Sequence, residues 1–252
     1  GGIIISFFAG GGHLFNYRLV YVAAFLSAVP VLIFAFLYHD VPGTERSTVE
    51  QKDLQPFFSA FKNFFSHPLL VAIGGIEMAA YFCFGVIETY LPVHLIKNGI
   101  SAGSIGVLFS LQVVSIALSK PFFGTMADHH DKRPHILLGL LVVGITTGIM
   151  AAVPSVVWLA VANMIFGLGF SLCTVSSSTY VAEIADRDQL GSSMGALSSI
   201  MDIGHSSGPL ITGFIVMYTS ISFGCVCSSV LAFLAVLYFF VYTHRKASSK
   251  FS

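Results

Sequence analysis

The chain has 252 residues, of which 55% are hydrophobic and only 10% charged, with a mean hydropathy of +0.85. Soluble domains carry about 25% charged residues, so this composition excludes an ordinary soluble domain. Twelve basic and twelve acidic residues cancel to zero net charge, which leaves no basic excess to attract a nucleic-acid partner.

Taken in chain order, residues 1–12 read as a partial apolar span, followed by full spans predicted at 17–39, 68–95, 103–123, 135–153, 155–183, 191–218 and 222–243. A helix of about 20 residues crosses a hydrocarbon core of about 30 Å. Runs this long satisfy their backbone amides internally only as helices, whereas barrel strands would alternate in polarity over about 10 residues. The predicted fold class is therefore an all-α polytopic membrane protein with about seven full transmembrane helices and one partial. Pro30, Gly169, Gly195 and Pro209 fall inside spans, where membrane helices tolerate them as kinks. Cys83, Cys173, Cys225 and Cys227 also lie in apolar runs, without metal or redox spacing, and read as small apolar filler. No metal site and no cofactor are expected.

The polar segment 40–66 divides the chain into units 1–39 and 67–244, with a tail at 245–252. Its second part carries Phe57, Phe58, Phe61, Phe64 and Phe65, the pattern of an amphipathic helix at the membrane surface. Arg46, Lys52, Lys62, Lys120, Lys132, Arg133, Arg187, Arg245, Lys246 and Lys250 fall on one side of the predicted topology, Lys120 being placed at the end of its helix. Only Arg18 and Lys97 fall on the other. The positive-inside rule makes the rich side, and with it the C-terminus, cytoplasmic.

Charge inside hydrocarbon is costly and therefore usually functional. Glu77, Glu88 and Asp202 are the intramembrane carboxylates. Glu77 and Glu88 are eleven residues apart, which puts them within about 20° on one helix face. Rise per residue places Glu77 and Asp202 roughly 14 and 16 Å deep, and Glu88 near the outer surface. Desolvation favours the neutral form of a carboxyl, so these groups are candidates to carry a proton or bind a cation. The competing reading is structural: an interhelical hydrogen bond for Glu77, and a pairing of Asp202 with His205 one turn away.

The turn between two spans reads Gly124-Thr-Met-Ala-Asp128-His-His-Asp-Lys132-Arg133. Asp128 is placed just past one helix and the basic pair just before the next. Its carboxylate suits a neighbouring helix N-terminus, and the basic pair can reach acidic groups across an interface that opens and closes. A purely topogenic basic loop is the alternative, and His129 and His130 could add pH sensitivity. A second motif is Gly204-His-Ser-Ser-Gly208-Pro209-Leu-Ile-Thr-Gly213.

These two motifs, the long central segment and the span count resemble the major facilitator superfamily, the secondary transporters with twelve helices. The loop motif matches at Gly124, Asp128, Lys132 and Arg133 but departs at His129 and Asp131, where the family usually has Arg and Gly. The Gly204/Gly208/Pro209/Gly213 pattern is similar to one that is characteristic of the family's antiporters when it lies in the fifth helix, and here it lies in a later span. The resemblance covers helices five, in part, to twelve, and implies that about four and a half helices of the same chain precede Gly1.

It further implies alternating access for a small-molecule solute in the lipid bilayer of a plasma membrane (a bacterial inner membrane), driven by a proton gradient. The first helix of each three-helix unit, here 68–95 and 155–183, would line the cavity. That makes Asn163, Ser171, Thr174, Ser176, Ser177, Ser178 and Thr179 candidate polar contacts, although such hydroxyls often only bond their own helix. Glu183, Asp186 and Arg187 would join the loop latch. Few acidic groups amid many aromatics, without an embedded basic pair, favour proton-coupled efflux of lipophilic or cationic drug-like compounds. Proton-coupled uptake of a sugar or other metabolite is the rival, and a non-transporting membrane sensor or assembly protein of the same fold is another. No nucleophile–base pair or metal cluster suggests an enzyme.

Overall fold

The computed structural model describes residues 64–186 and 189–248, together with positions 22, 25, 26, 28–30, 32, 33 and 62. The two spans expected before residue 40, most of the 40–66 segment including Phe57, Phe58 and Phe61, and Arg187 lie outside the described residues.

Six long helices follow one another: α1 (Pro68–Lys97), α2 (Ala102–His129), α3 (Lys132–Met150), α4 (Val156–Ile184), α5 (Leu190–Tyr218) and α6 (Ile221–Ser248). Local chemistry sets their ends. Pro68 opens α1 where its missing N–H costs nothing, and Gly99 takes the left-handed conformation (φ 78°) that closes the turn into α2. Ser101 caps α2 by accepting from Ser104 N, and Asp131 caps α3 by accepting from Arg133 N.

Five of the six helices are long and apolar enough to cross a membrane. The sixth, α5, has the length at 29 residues but carries Ser198, Ser199, Asp202, His205, Ser206 and Ser207 along its middle, which lowers its apolarity. The expected span at 191–218 is thus present as a helix whose middle is polar.

The packing has an internal two-fold logic. α5 packs on α1 as α2 packs on α4, and α6 packs on α1 as α3 packs on α4, with α3 and α6 meeting behind. The chain therefore forms two three-helix units, α1–α3 and α4–α6, each placing its second helix against the first helix of the other. α1 and α4 form the middle of a front layer ordered α5–α1–α4–α2. Because α5 scarcely touches α4, and α2 scarcely touches α1, α1 and α4 are the floor between two flanking helices. The core runs through this floor: Ile73, Ile76, Ala80, Val86, Ile87 and Leu91 on α1 and Leu159 and Phe166 on α4 are sealed from solvent.

Close approach of backbones supplies much of the cohesion, as expected where lipid is as apolar as the side chains. A Cβ on Gly204 would lie 2.4 Å from Met78 O, one on Gly208 2.4 Å from Phe82 O, and one on Gly85 2.3 Å from His205 O. These three glycines let α1 and α5 touch. Phe64, ahead of α1, is fully buried beside Gly74 and Ile200, so this ring is inserted under the bundle, whereas Phe65 is exposed.

Candidate functional site

The polar groups converge at one depth, beginning with Glu77. It sits nine residues into α1, about 14 Å along the helix, and is completely buried. Its neighbours are Ser177 and Cys173 of α4. Neither carboxylate oxygen nor Ser177 Oγ makes a hydrogen bond of ordinary geometry among the described residues. A sealed carboxyl without a partner is an uncommon and costly arrangement.

Tyr81, one turn on, lies within electrostatic reach of both Glu77 and Asp202. Asp202 is exposed on α5 and makes no ion pair among the described residues. The expected pairing of Asp202 with His205 is not what forms. His205 Nε2 instead meets Glu88 Oε2 at 2.9 Å, because α1 and α5 cross tightly at Gly85, bringing Glu88 of the neighbouring helix over the imidazole. Glu77 and Glu88 also differ more than their shared helix face suggests: one is sealed near α4, while the other is half exposed beside α5.

Lys120 is a second correction. α2 continues without a break through Pro121 to His129, since Phe123, Met126 and Ala127 extend its packed side. Lys120 is therefore nine residues before the helix end, about 13 Å inside, at the level of Glu77, and its charge acts on that carboxyl. Hydropathy missed this because the polar residues after Phe123 look like the end of a span.

An aromatic wall adjoins the carboxylates. Tyr81 packs edge-on to Phe170 at 5.0 Å, Phe84 lies 4.8 Å from Phe170, and Phe166 stacks on Phe170 at 6.1 Å. The His205 ring extends the wall, 5.7 Å from Phe84. Tyr81 and Phe84 are only partly buried, so the wall has an open side. A spacing of three or four residues on each helix was visible in the sequence, but nothing there showed that the α1 and α4 rings meet.

Of the polar residues expected on α4, Asn163, Ser171, Thr174, Ser176 and Ser177 are buried, while Ser178 and Thr179 are partly exposed. Asn163 donates to Leu159 O (2.9 Å) and Thr174 to Ser171 O (3.4 Å), both within α4, while Ser171 donates across to Ile116 O of α2 (3.4 Å). Asn163 Oδ1 and the hydroxyls of Ser176 and Ser177 have no partner among the described residues.

The loop motif lies at the end of the bundle where α2 meets α3. Asp128 is within the last turn of α2 rather than beyond it, and it is Asp131 that accepts from a helix N-terminus. Lys132 pairs with Glu183 at 2.9 Å, and Arg133 Nε donates to Tyr180 Oη at 2.9 Å. Both partners belong to α4, so these contacts join the two three-helix units of one bundle. His129 and His130 bond the carbonyls of Thr125 and Met126 at the end of α2. Together these residues line a cavity of about 530 Å³. Gly124 has room for a side chain, the nearest atom being Val175 Cγ1 at 4.0 Å from a Cβ placed there.

In the second motif, Gly204 and Gly208 make the α1–α5 contact, and Tyr90 Oη donates to Pro209 O at 2.8 Å while lying over Gly213.

Comparison with known proteins agrees with this architecture. The family model described as "Major Facilitator Superfamily" matches residues 75–252. A "Multi-drug resistance efflux pump PmrA homolog" of Lactococcus lactis subsp. lactis is 27% identical over 166 residues, covering 64% of this chain and 41% of the relative. The "Multi-drug resistance efflux pump PmrA" of Streptococcus pneumoniae is 27% identical over 134 residues, 52% of this chain and 33% of that protein. The "Quinolone resistance protein NorA" of Staphylococcus aureus is 27% identical over 130 residues, 52% of this chain and 34% of that protein. The chain thus spans less than half the length of these curated relatives. With the family match extending over most of the chain, and five helices fit to cross a bilayer, this multi-pass membrane protein belongs to the major facilitator superfamily.

Proposed function

We propose that the protein is a secondary transporter that exports lipophilic or cationic drug-like solutes by alternating access, in exchange for protons. The observation that carries this reading is the meeting of an aromatic wall (Tyr81, Phe84, Phe166, Phe170) with carboxylates at one depth of α1, α4 and α5. Ring faces attract cations and apolar bodies with little demand on shape. Glu77 is the proton carrier: sealed in the floor beside Ser177, with no hydrogen bond of ordinary geometry among the described residues, it is most stable when neutralised, by a proton or by a cation drawn in beside it. Lys120 and Asp202 set the charge around it. The names of the relatives, multi-drug resistance efflux pumps and a quinolone resistance protein, are consistent with this reading.

The loop contacts Lys132–Glu183 and Arg133–Tyr180 act in this reading as a latch for one conformational state. Lys62, Lys132 and Arg133 lie at one end of the bundle, which supports placing that end and the C-terminus on the cytoplasmic side of a plasma membrane. Labelling of a cysteine placed in the tail from one side only would check this.

A dye-extrusion assay on the complete protein tests the function. Glu77→Gln is expected to lower gradient-driven efflux of ethidium at least tenfold, about 1.4 kcal/mol in barrier terms, with the protein still folded. Undiminished, gradient-dependent efflux would sink the assignment. A second reading, uptake of a polar metabolite such as a sugar, draws on the partnerless Asn163 Oδ1, Ser176 and Ser177. It predicts sugar accumulation and no dye extrusion.

A further inference from the structure

Glu88 and His205 form a close carboxylate–imidazole pair that the proton step at Glu77 does not use. Their contact is 2.9 Å, and the side chains are 53% and 42% exposed, so ligand and solvent can reach both. The imidazole is also a ring of the aromatic wall, 5.7 Å from Phe84. Its backbone is fixed by an unusual seam. Pro209 has no N–H, so His205 O lacks its donor in the helix ladder, and Gly85 of α1 lies directly against that carbonyl. The backbone that carries the ring is thus positioned beside the wall independently of the contact with Glu88.

The other titratable groups facing this place are Tyr81 and Tyr90 on α1 and Asp202 one turn before His205 on α5. From α4 the neighbours are Phe166 and Phe170, neither of which titrates. α6 packs on the other side of α1, where Cys83 donates to Ser228 O.

We propose that His205 is a proton-gated cover for Glu88, making Glu88 a second cation-attracting carboxylate that is available only when the imidazole is neutral. The inference rests on the reading of the aromatic wall as a site for lipophilic cations. With the imidazole protonated, the two charges cancel in contact and the wall offers no free carboxylate at this end. With it neutral, Glu88 keeps an uncompensated negative charge beside Phe84, where a cation lying on the rings gains both Coulomb and ring-face attraction. Linkage then requires the converse. A cation that settles beside Glu88 disfavours the imidazolium, and the proton leaves His205 for solvent. Solute and proton exchange at this pair without any covalent step.

The test uses the complete protein in detergent, with tetraphenylphosphonium as the cationic probe and N-phenylnaphthylamine as the neutral one. Imidazoles change charge between about pH 5 and 8. Across that range the affinity of the wild type for the cation should rise roughly two- to fivefold, the scale of a partly exposed ion pair. Proton release on binding, read by calorimetry in buffers of different ionisation enthalpy, should accompany it. The neutral probe should show neither effect.

His205→Gln should bind the cation at acid pH as tightly as the wild type does at alkaline pH. Glu88→Gln should bind weakly throughout, with proton release smaller than the wild type's in both variants because only the Glu77 share remains, and Glu88→Asp should restore the pH dependence. If the cation binds but wild type, His205→Gln and Glu88→Gln share one pH profile and one proton release, this inference is overturned while the solute site stands. If the wild type binds no cation at any pH, the solute reading falls with it. Should His205→Gln fail to fold, the Glu88→Gln and Glu88→Asp profiles decide alone.

Discussion

The two seams that flank the floor, α1–α5 and α4–α2, occupy equivalent places in the internal repeat but are built differently. On α1–α5, three glycines face three carbonyls, each within 2.4 Å of where a Cβ would be. On α4–α2, a single glycine, Gly167, faces Gln112 O at 2.7 Å, and a hydroxyl bond from Ser171 to Ile116 O does part of the holding. The first seam also carries the proline, the Tyr90 bond and the Glu88–His205 pair. The geometry of helix packing is thus shared by both units, while the Glu88–His205 pair and a proline whose freed carbonyl meets a glycine are found on the α1–α5 seam. A proline in a helix leaves a carbonyl to satisfy, and a glycine opposite admits a neighbouring backbone to it.

The largest expected effect tests whether the first seam is the less forgiving. Gly208→Val pushes a branched side chain into Phe82 O and should cost about 3 kcal/mol, the upper part of the range for overpacking. Gly167→Ala, against a single carbonyl, should cost about 1 kcal/mol, the lower end of that range. Thermal unfolding in detergent measures both, and equal losses would erase the distinction between the seams. Gly195→Ala, with nothing within 4 Å, serves as the control, with a gain of up to about 1 kcal/mol from helix propensity.

A smaller effect sharpens the role of Pro209. Tyr90→Phe removes one interhelical hydrogen bond and should lower stability by about 0.6 kcal/mol, the mean for such bonds in membrane bundles. Ser171→Ala on the other seam should cost no more, and a much larger loss there would move the weight of polar bonding to α4–α2. Smallest of all is Lys132→Gln. Its pair with Glu183 is partly exposed (15% and 58%), so the stability change should stay within about 1 kcal/mol. If the pair is a latch, the transport rate should change more than the unfolding temperature does, and equal small changes in both would leave it a structural contact.

Several elements could be read directly from the sequence. Hydropathy located all six described helices to within a few residues, except where α2 runs six residues past the expected end at 123 and α6 five past the expected end at 243. The loop and glycine–proline motifs pointed to the family that the comparison shows. The candidate site was only half legible. Glu77, Asp202 and Glu88 stood out because carboxylates in apolar runs are costly, but Lys120 was hidden by the polar residues that follow it. The Asp202–His205 pairing looked reasonable along one helix, yet a helix neighbour was displaced by a residue 117 positions away. The wall of Tyr81, Phe84, Phe166 and Phe170 looked like two separate sets of core aromatics.

Length, apolarity and the spacing of charges along this chain fix how many helices form and which ends share a side, because each helix satisfies its own backbone and answers to the bilayer alone. Which side chains meet is decided by the approach of helices distant in sequence. The glycines at 85, 204 and 208 set how closely α1 and α5 come together. That separation determines that Glu88 reaches His205 and that Tyr90 reaches Pro209, while Glu77 is sealed beside Ser177 and Cys173 of α4. These contacts depend on distances of an ångström or less between elements, and periodicity along one helix carries no information about them.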